Sequence, residues 1–228
     1  MCTWFYISRN PLSFFIERAQ RLDLTTAISL ATAKGTAMSG NIRPTDMAAV
    51  LAPDKHGEMA VFPMKWGFRH EAISKPLVNC RVETADQKGL WRDSWCRRRC
   101  VIPASWYYEW GIPSSEIGFR SANEYHNIRK EKYVIQTEGS DVTYLAGLYR
   151  FEVYNGIQVP KFAVLTRAAA GPVKSIHDRM PVILSKEWLR DWVRPDSDPR
   201  RIAQKALSNM IVEKARDYPE PKPDYMKI

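Results

Sequence analysis

Two of the predicted strands lie within residues 97–110, which read Arg97-Arg98-Arg99-Cys100-Val101-Ile102-Pro103-Ala104-Ser105-Trp106-Tyr107-Tyr108-Glu109-Trp110. Valine, isoleucine and tyrosine favour strands, so Val101-Ile102 and Tyr107-Tyr108 predict two neighbouring short strands. Alternation in the second strand places Tyr107, Glu109 and Gly111 on one face. A carboxylate among aromatic rings tends to have a raised pKa and can act as a general acid or base. The alternative is that Glu109 pairs with one of the arginines, whose run by itself predicts a solvated face.

Further strands are predicted on both sides of this stretch, from β-branched and aromatic residues at 60–62, 133–137, 143–153, 161–166 and 181–184. Asn155-Gly156 predicts a type I′ hairpin turn between two of them. Residues 116–131 are polar and predict a long surface insertion. The tail, residues 217–228, contains three prolines and is predicted to be extended. This pattern favours one mixed α+β domain over residues 1–228 with much antiparallel sheet.

Helices are predicted at both ends of the chain. Apolar residues at helical spacing indicate an amphipathic helix over residues 11–22, whereas residues 24–40 are rich in Thr, Ala, Ser and Gly and predict a loop. Thr45 is predicted to cap a short helix that ends at Leu51. Ser185 is predicted to cap another helix. Asp198 is predicted to open a last one, with Pro199 at its first position.

Composition limits the classes of function. Of 228 residues, 45% are apolar and 26% charged, so the chain is globular rather than disordered. Lys plus Arg number 34 and Asp plus Glu 25, giving a net charge of +9 that suggests a polyanionic partner, by default nucleic acid. No apolar run reaches the roughly 18 residues of a membrane span. The first residues lack the pattern of a signal peptide, so we expect a cytoplasmic protein.

The four cysteines, Cys2, Cys80, Cys96 and Cys100, are expected to be reduced thiols. Cys96 and Cys100 are spaced C-x3-C, but a zinc site usually needs a second tight pair of ligands, and the sequence has none. We therefore predict no metal and no cofactor. The last three cysteines are interpreted as small buried apolar residues.

Cys2 follows the initiator methionine, and a small second residue permits removal of Met1. Its α-amine and thiol, with ordinary pKa values of about 7.7–8.0 and about 8.5, would then lie on adjacent carbons. Such a 1,2-aminothiol condenses with an aldehyde to an imine and closes a five-membered thiazolidine ring. Ring closure is intramolecular and strongly favoured. The alternative is a chance cysteine at a frayed terminus.

Two further polar positions are candidates. Asn79 and Arg81, within Asn79-Cys80-Arg81-Val82-Glu83-Thr84, could orient a sugar and hold a phosphate; the alternative is a turn asparagine beside a solvated arginine. His177 precedes a predicted strand, and histidine transfers protons near neutral pH. The alternative is a histidine that only binds the backbone. His56, His70 and His126 are interpreted as surface residues.

The order of these motifs is specific. Met-Cys at the start, Asn-x-Arg-x-Glu-Thr, Arg-Cys-x-Ile-Pro-Ala-x-x-Tyr-Glu-Trp and His-x-Arg-Met-Pro together resemble the SOS-response-associated peptidase (SRAP) family, also called abasic-site-processing proteins. The resemblance runs from Met1 to about Trp192. It implies a compact α+β domain around a curved, barrel-like, mostly antiparallel sheet with flanking helices. It implies action on abasic sites in single-stranded DNA, with a covalent thiazolidine crosslink to the N-terminal cysteine.

The resemblance also implies roles for individual residues. Cys2 would be the nucleophile, Asn79 would hold the reacting terminus and sugar, Glu109 would shuttle protons, and His177 would assist as acid or base. Self-removal of Met1 would use the same centre. DNA contacts are implied at Arg81, Pro44, Trp66, Thr166 and Arg98.

The sequence departs from the family pattern near the nucleophile. Thr3 and Trp4 replace the usual Gly-Arg, and Phe68-Arg69-His70 replaces the usual Leu-Ile-Pro, as in a divergent, phage-related member. We expect a monomer. Two alternatives stay open: a thiol peptidase that acts on protein through Cys2, Glu109 and His177, and a single-stranded DNA-binding module without catalysis.

Overall fold

The architecture is a closed barrel with a second sheet attached, seen in a computed structural model that describes residues 2–32, 35, 38–112 and 130–217. The strands are β1 (Trp4–Ile7), β2 (Gly40–Ile42), β3 (Met47–Pro53), β4 (Met59–Trp66), β5 (Phe68–His70), β6 (Ile73–Leu77), β7 (Asn79–Arg81), β8 (Arg99–Ala104), β9 (Trp106–Gly111), β10 (Glu131–Thr137), β11 (Thr143–Tyr154), β12 (Ile157–Ala168), β13 (Arg179–Pro181), β14 (Ile183–Leu184) and β15 (Met210–Lys214). The helices are α1 (Arg9–Gln20), α2 (Asp23–Thr32), α3 (Gly89–Arg97), α4 (Leu189–Val193) and α5 (Pro199–Gln204).

Five strands close the barrel in the order β12-β4-β3-β8-β11, and β11 pairs again with β12. All of these pairings are antiparallel except that of β4 with β12. Strand β7 adds to β12 in parallel, beyond the end of β4. The barrel interior is apolar and contains Trp66, whose ring stacks on Phe162 and tilts against Phe5. The α+β class with a barrel-like, mostly antiparallel sheet is therefore confirmed.

The second sheet has the order β15-β10-β9-β1-β2 and is antiparallel throughout. It meets the barrel at Ser105, between β8 and β9. The Ser105 N–H donates to the Tyr6 carbonyl at 2.8 Å, and its hydroxyl accepts from the Ser8 N–H at 2.9 Å. This corner holds β1 alongside β9, so the residues before β1 lie beside the far end of β9.

The two strands predicted within residues 97–110 are confirmed, and so is the alternation in the second. Tyr107 and Glu109 are buried on one face of β9, while Trp106 and Tyr108 pack with Tyr6 on the other. The predicted strands at 60–62, 133–137, 143–153 and 161–166 are present as β4, β10, β11 and β12. The hairpin turn has positive φ at Asn155 and Gly156, as a type I′ turn requires.

Three local predictions were wrong. Residues 24–40 contain helix α2, because Leu24 and Ile28 lie one helical turn apart and pack on the core. The helix predicted from Thr45 to Leu51 is absent: Met47–Pro53 form strand β3, and Thr45, with φ of 76°, lies in the turn before it. Burial of the Met-Ala-Ala segment in the barrel overrides its helix propensity.

Ser185 makes no side-chain capping bond, and a 3₁₀ turn precedes α4.

Other predictions were met in part. Asp198 caps α5 through the N–H groups of Arg200 and Arg201, as expected. Cys80 and Cys100 are buried, but Cys96 is exposed. Most of the polar insertion, the proline-containing tail beyond Asp217 and His126 lie outside the described residues. Across the described part of the chain, no helix is long and apolar enough to cross a membrane.

Arg99 contradicts the prediction of a solvated arginine face, since it is only 1% exposed. Its guanidinium donates to the carbonyls of Trp192 and Trp95, both at 2.7 Å, and to the carbonyl of Arg194. It thereby joins α3 and β8 to α4. A buried charge is tolerated when each donor is bound in this way.

Replacing Arg99 with methionine is expected to lower the free energy of unfolding by roughly 3–5 kcal/mol. The reason is that several buried carbonyls lose their donor, at about 1–3 kcal/mol each. Arg97→Met is the matched control, because the Arg97 side chain is 77% exposed and its ion pair with Asp93 lies at the surface. Urea denaturation followed by tryptophan fluorescence measures both variants. Equal stability of the two would contradict the structural role given to Arg99.

Candidate active site

Cys2 lies immediately before β1 and has no exposed surface. Its Sγ is 3.7 Å from the Trp4 carbonyl, to which it donates. Burial raises the pKa of the thiol well above its ordinary value, and the nearby Glu109 carboxylate raises it further. The thiol is therefore neutral at physiological pH, and a free amine on the same residue would be the stronger nucleophile there.

Asn79, the first residue of β7, fixes the position of Cys2. Its Nδ2 donates to the Cys2 carbonyl at 2.8 Å, across 77 residues of sequence. Its Oδ1 is buried and has no hydrogen-bond partner among the described residues. Strand β7 is in turn held by β12, where Val164 lies opposite Asn79. The amide thus has one oxygen left to accept a hydrogen bond from a substrate.

Glu109 is 1% exposed and lies on β9, on the inner side of the sheet. Burial raises the pKa of its carboxyl to about 7. The Oε2 atom is 4.0 Å from His177 Nε2. Near neutral pH the carboxyl therefore exists in comparable amounts with and without its proton, as a group that both takes and gives a proton must.

His177 follows a 3₁₀ turn at Gly171–Ser175 and precedes β13. Its Nδ1 accepts from the Arg179 N–H at 2.9 Å, which favours the neutral tautomer with the proton on Nε2, toward Glu109. Burial lowers the pKa of His177. The exposed Asp178 carboxylate, 2.8 Å from Nδ1, opposes this shift without reversing it.

The four predicted catalytic residues therefore meet from four separate segments. The Asn79 amide donates a hydrogen bond to the Cys2 carbonyl, the Glu109 carboxylate contributes to the raised pKa of the Cys2 thiol, and His177 lies beside Glu109.

Of the predicted DNA contacts, Arg81 is exposed on β7, two residues beyond Asn79 and so on the same side of the strand. Pro44 is half-buried in the loop after β2, next to Arg43, whose guanidinium lies 4.2 Å from the Trp4 ring centre.

Trp66 and Thr166 do not fit the DNA-contact role predicted for them, since both have 0% exposure. The Trp66 indole N–H donates to the Val78 carbonyl at 3.0 Å inside the barrel. Thr166 donates to the Cys80 carbonyl at 3.4 Å, which links β12 to β7. Arg98 directly follows α3, and its side chain pairs with Asp93.

Sequence reasoning missed two residues of the site. Arg179 binds both oxygens of Glu83, at 2.6 and 2.8 Å, and the Thr166 carbonyl at 2.8 Å, so it ties β13 to the segment after β7. Arg179 and Glu83 both occur in the motifs quoted above, but the spacing of those motifs does not show that the two side chains pair. The hydroxyl of Tyr107 is buried without a hydrogen-bond partner among the described residues, and burial raises its pKa, with a further contribution from the Glu109 carboxylate.

No three His, Cys, Asp or Glu side chains within the described ranges group closely enough to hold a metal ion. The side-chain groups at the candidate site are one thiol, one amide, one carboxyl and one imidazole. This set can bind a carbonyl compound, move protons and form a covalent bond to carbon.

Several curated proteins are similar to this chain. "Abasic site processing protein YoqW" of Bacillus subtilis is 30% identical over 145 residues, covering 60% of this chain and 58% of its own length. "Abasic site processing protein YedK" of Escherichia coli is 25% identical, covering 75% and 71%. "Abasic site processing protein HMCES" of Xenopus tropicalis is 28% identical, covering 74% and 57%. The match thus spans less than two thirds of YoqW and of HMCES.

Solved structures share the fold. A protein from Bacteroides thetaiotaomicron superposes with a TM-score of 0.70 at 18% identity, covering 93% of this chain and 91% of that one. A phage-related protein from Bordetella bronchiseptica gives 0.64 at 20% identity, with 94% of both chains covered. The sequence profile described as "SOS response associated peptidase (SRAP)" matches residues 1–219. The chain therefore belongs to the SRAP family.

Proposed function

We propose that this protein processes abasic sites in single-stranded DNA by forming a thiazolidine crosslink through Cys2 after removal of Met1. The observation that carries the proposal is the hydrogen bond from Asn79 to the Cys2 carbonyl, beside a buried carboxyl with a pKa of about 7. Similar proteins are named abasic site processing proteins, which supports the same substrate. The predicted cytoplasmic location and monomeric state are part of this proposal.

The reaction begins at the sugar. An abasic sugar is mostly a closed hemiacetal, and its ring must open to the aldehyde before an amine can attack. In the proposed step the Glu109 carboxylate accepts the hemiacetal hydroxyl proton, the bond between the anomeric carbon and the ring oxygen breaks, and the protonated Glu109 carboxyl donates the proton to that oxygen. A pKa near 7 lets the same group return that proton. The Nε2 of His177, 4.0 Å away, can relay it.

The covalent steps follow. The Cys2 amine adds to the aldehyde carbon and water leaves, which gives an imine. The thiol then adds across the C=N bond: sulfur bonds to carbon, and its proton goes to nitrogen. Because burial keeps the thiol neutral, amine attack precedes sulfur attack. Asn79 holds Cys2 by its carbonyl, which leaves the amine and the thiol free to react.

The direct test is to incubate the processed protein with an oligonucleotide that contains one abasic site. Denaturing electrophoresis and intact mass should show one adduct, with the mass of protein plus DNA minus one water. An unmodified oligonucleotide is the matched control. Peptide cleavage without an adduct would favour a thiol peptidase, and salt-dependent binding without an adduct would favour a binding module; either result contradicts the proposal.

Asn79→Ala is expected to slow crosslinking by roughly 10²-fold, because a displaced nucleophile loses its near-attack geometry. Proton transfer stays intact, so the pH dependence of the rate should keep its shape. Asn209→Ala, in the segment before β15, is the control. The measurement is single-turnover crosslinking across pH; a changed pH profile would assign Asn79 to proton transfer instead.

A further inference from the structure

A polar cavity of about 550 Å³ lies between β4, β12 and the β5–β6 hairpin. Among the described residues, four cationic side chains line it, against one carboxylate: Lys65, Arg69, Lys75 and Lys161, with Glu71. His70 and the hydroxyls of Thr45, Ser74 and Tyr154 are also exposed to it. The lining therefore has a cationic excess and several hydrogen-bond donors, which suits an anion.

Two of these lysines are buried side by side. Lys65 is 6% and Lys161 is 3% exposed, and they lie directly opposite each other in the parallel pairing of β4 with β12. Neighbouring strands are about 4.8 Å apart, so the two side chains leave the same face of the sheet close together. Burial and the charge of Lys65 together lower the pKa of Lys161 to about 8. Like charges so placed are costly unless an anion lies near them.

Glu152 compensates the charge of Lys161 only in part. The Lys161 Nζ donates to the Gly67 carbonyl at 3.1 Å and is 3.9 Å from Glu152 Oε2. Glu152 Oε1, however, already binds Arg150 Nη2 at 2.6 Å and the Arg69 N–H at 2.8 Å. The charge of Glu152 is therefore shared between Arg150 and Lys161, and it does not neutralise Lys161 fully.

This cavity is separate from the candidate active site. Side chains alternate along β12, so Lys161 points away from the face that carries Phe162 and Val164. Val164 lies opposite Asn79 in the β12–β7 pairing, and Phe162 lies within the barrel core. Strand β12 thus has the catalytic amide on one side and the lysine pair on the other.

We propose that this cavity is a binding site for a phosphate-bearing anion, with Lys65 and Lys161 contacting the phosphate oxygens. A phosphate carries up to two charges and several acceptor oxygens, and so matches two ammonium groups with hydroxyl donors around them. The phosphate belongs either to the backbone of a DNA strand that passes over this face or to a free phosphate compound.

The first experiment measures binding of inorganic pyrophosphate by calorimetry. Lys65→Met and Lys161→Met, each with an apolar side chain of similar length, should bind at least tenfold more weakly than the unchanged protein. Lys55→Met removes the same charge from an exposed turn and should bind as the unchanged protein does. Equal affinity in all four proteins, or no binding to the unchanged one, would overturn the proposal.

A second measurement needs no variant. Nuclear magnetic resonance of lysine labelled with ¹⁵N follows the titration of the Lys161 ammonium, which should have its midpoint near pH 8. Pyrophosphate that binds the charged form must move this midpoint to higher pH. An unchanged midpoint at saturating pyrophosphate contradicts direct contact with Lys161.

The two sources of phosphate are separated with an unmodified thymidine oligonucleotide. If the DNA backbone occupies the cavity, Lys161→Met weakens oligonucleotide binding and makes the log–log salt slope shallower by about 0.7 for each lost phosphate contact. If a free phosphate compound occupies it, only pyrophosphate binding changes. Crosslinking at saturating abasic DNA should be unchanged in both cases, so failure of this proposal is distinguishable from failure of the proposed function.

Discussion

Replacing Cys2 with alanine is expected to abolish the heat-stable DNA adduct. The alanine variant keeps an α-amine, so it can still form an imine with the sugar aldehyde, and borohydride should trap that imine. Without sulfur the ring cannot close, and the imine hydrolyses or nicks the strand. Denaturing electrophoresis with and without borohydride, together with intact mass, reads out both species.

Cys96→Ala is the matched control for this experiment, because Cys96 is exposed on α3 and belongs to no part of the site. It should form the adduct to the same extent as the unchanged protein. A stable adduct formed equally well by Cys2→Ala would rule out the thiazolidine and leave only an amine mechanism.

Replacing Glu109 with glutamine is expected to slow crosslinking by about 10²–10⁴-fold, the usual contribution of a general acid–base group. In the unchanged protein the rate should rise with pH through about 7, since only the ionised carboxyl accepts the hemiacetal proton. The glutamine variant should lose this inflection and keep only that of the amine, ordinarily about 7.7–8.0. Single-turnover rates from pH 5.5 to 9 measure both.

Thermal unfolding provides the control for this variant. The folded-state pKa of Glu109 is raised above the unfolded value, so its contribution to stability is complete at low pH and is lost as pH rises through about 7. Glu109→Gln removes a buried charge at pH 8 and should unfold at the same temperature as the unchanged protein or a higher one. A slow variant that is also unstable at pH 8 would indicate a structural role instead.

The strands next to Glu109 could be predicted from sequence because local preference and tertiary environment agree there. Residues 101–102 and 107–108 are β-branched or aromatic, and both pairs lie in strands. The segment 47–52 shows the opposite case. Its methionine and alanines favour a helix, but β3 is buried between β4 and β8, and the closure of the barrel determines its conformation.

The residues proposed for the site were predicted from motif order, whereas the contacts between them could not be predicted. No local pattern shows that Asn79 reaches the Cys2 carbonyl or that Arg179 binds Glu83, since each pair joins distant parts of the chain. Trp66 shows the limit of motif reasoning. Its position matches a motif, yet the structure places the ring inside the barrel, where it stacks on Phe162.

The closure of the barrel also has a consequence for the order of folding. Hairpin β11–β12 is local and can form early, whereas β4 pairs with a distant part of the chain; Gly67, which directly follows β4, accepts from Lys161 of β12, 94 residues away. Such non-local pairings form late, because the loop entropy must be overcome first. Cys2 is synthesised first, but Glu109 and His177 reach it only once the whole chain has folded. We therefore expect a nascent or partly folded chain to carry an ordinary, unassisted cysteine, so that reactivity begins only when synthesis and folding are complete.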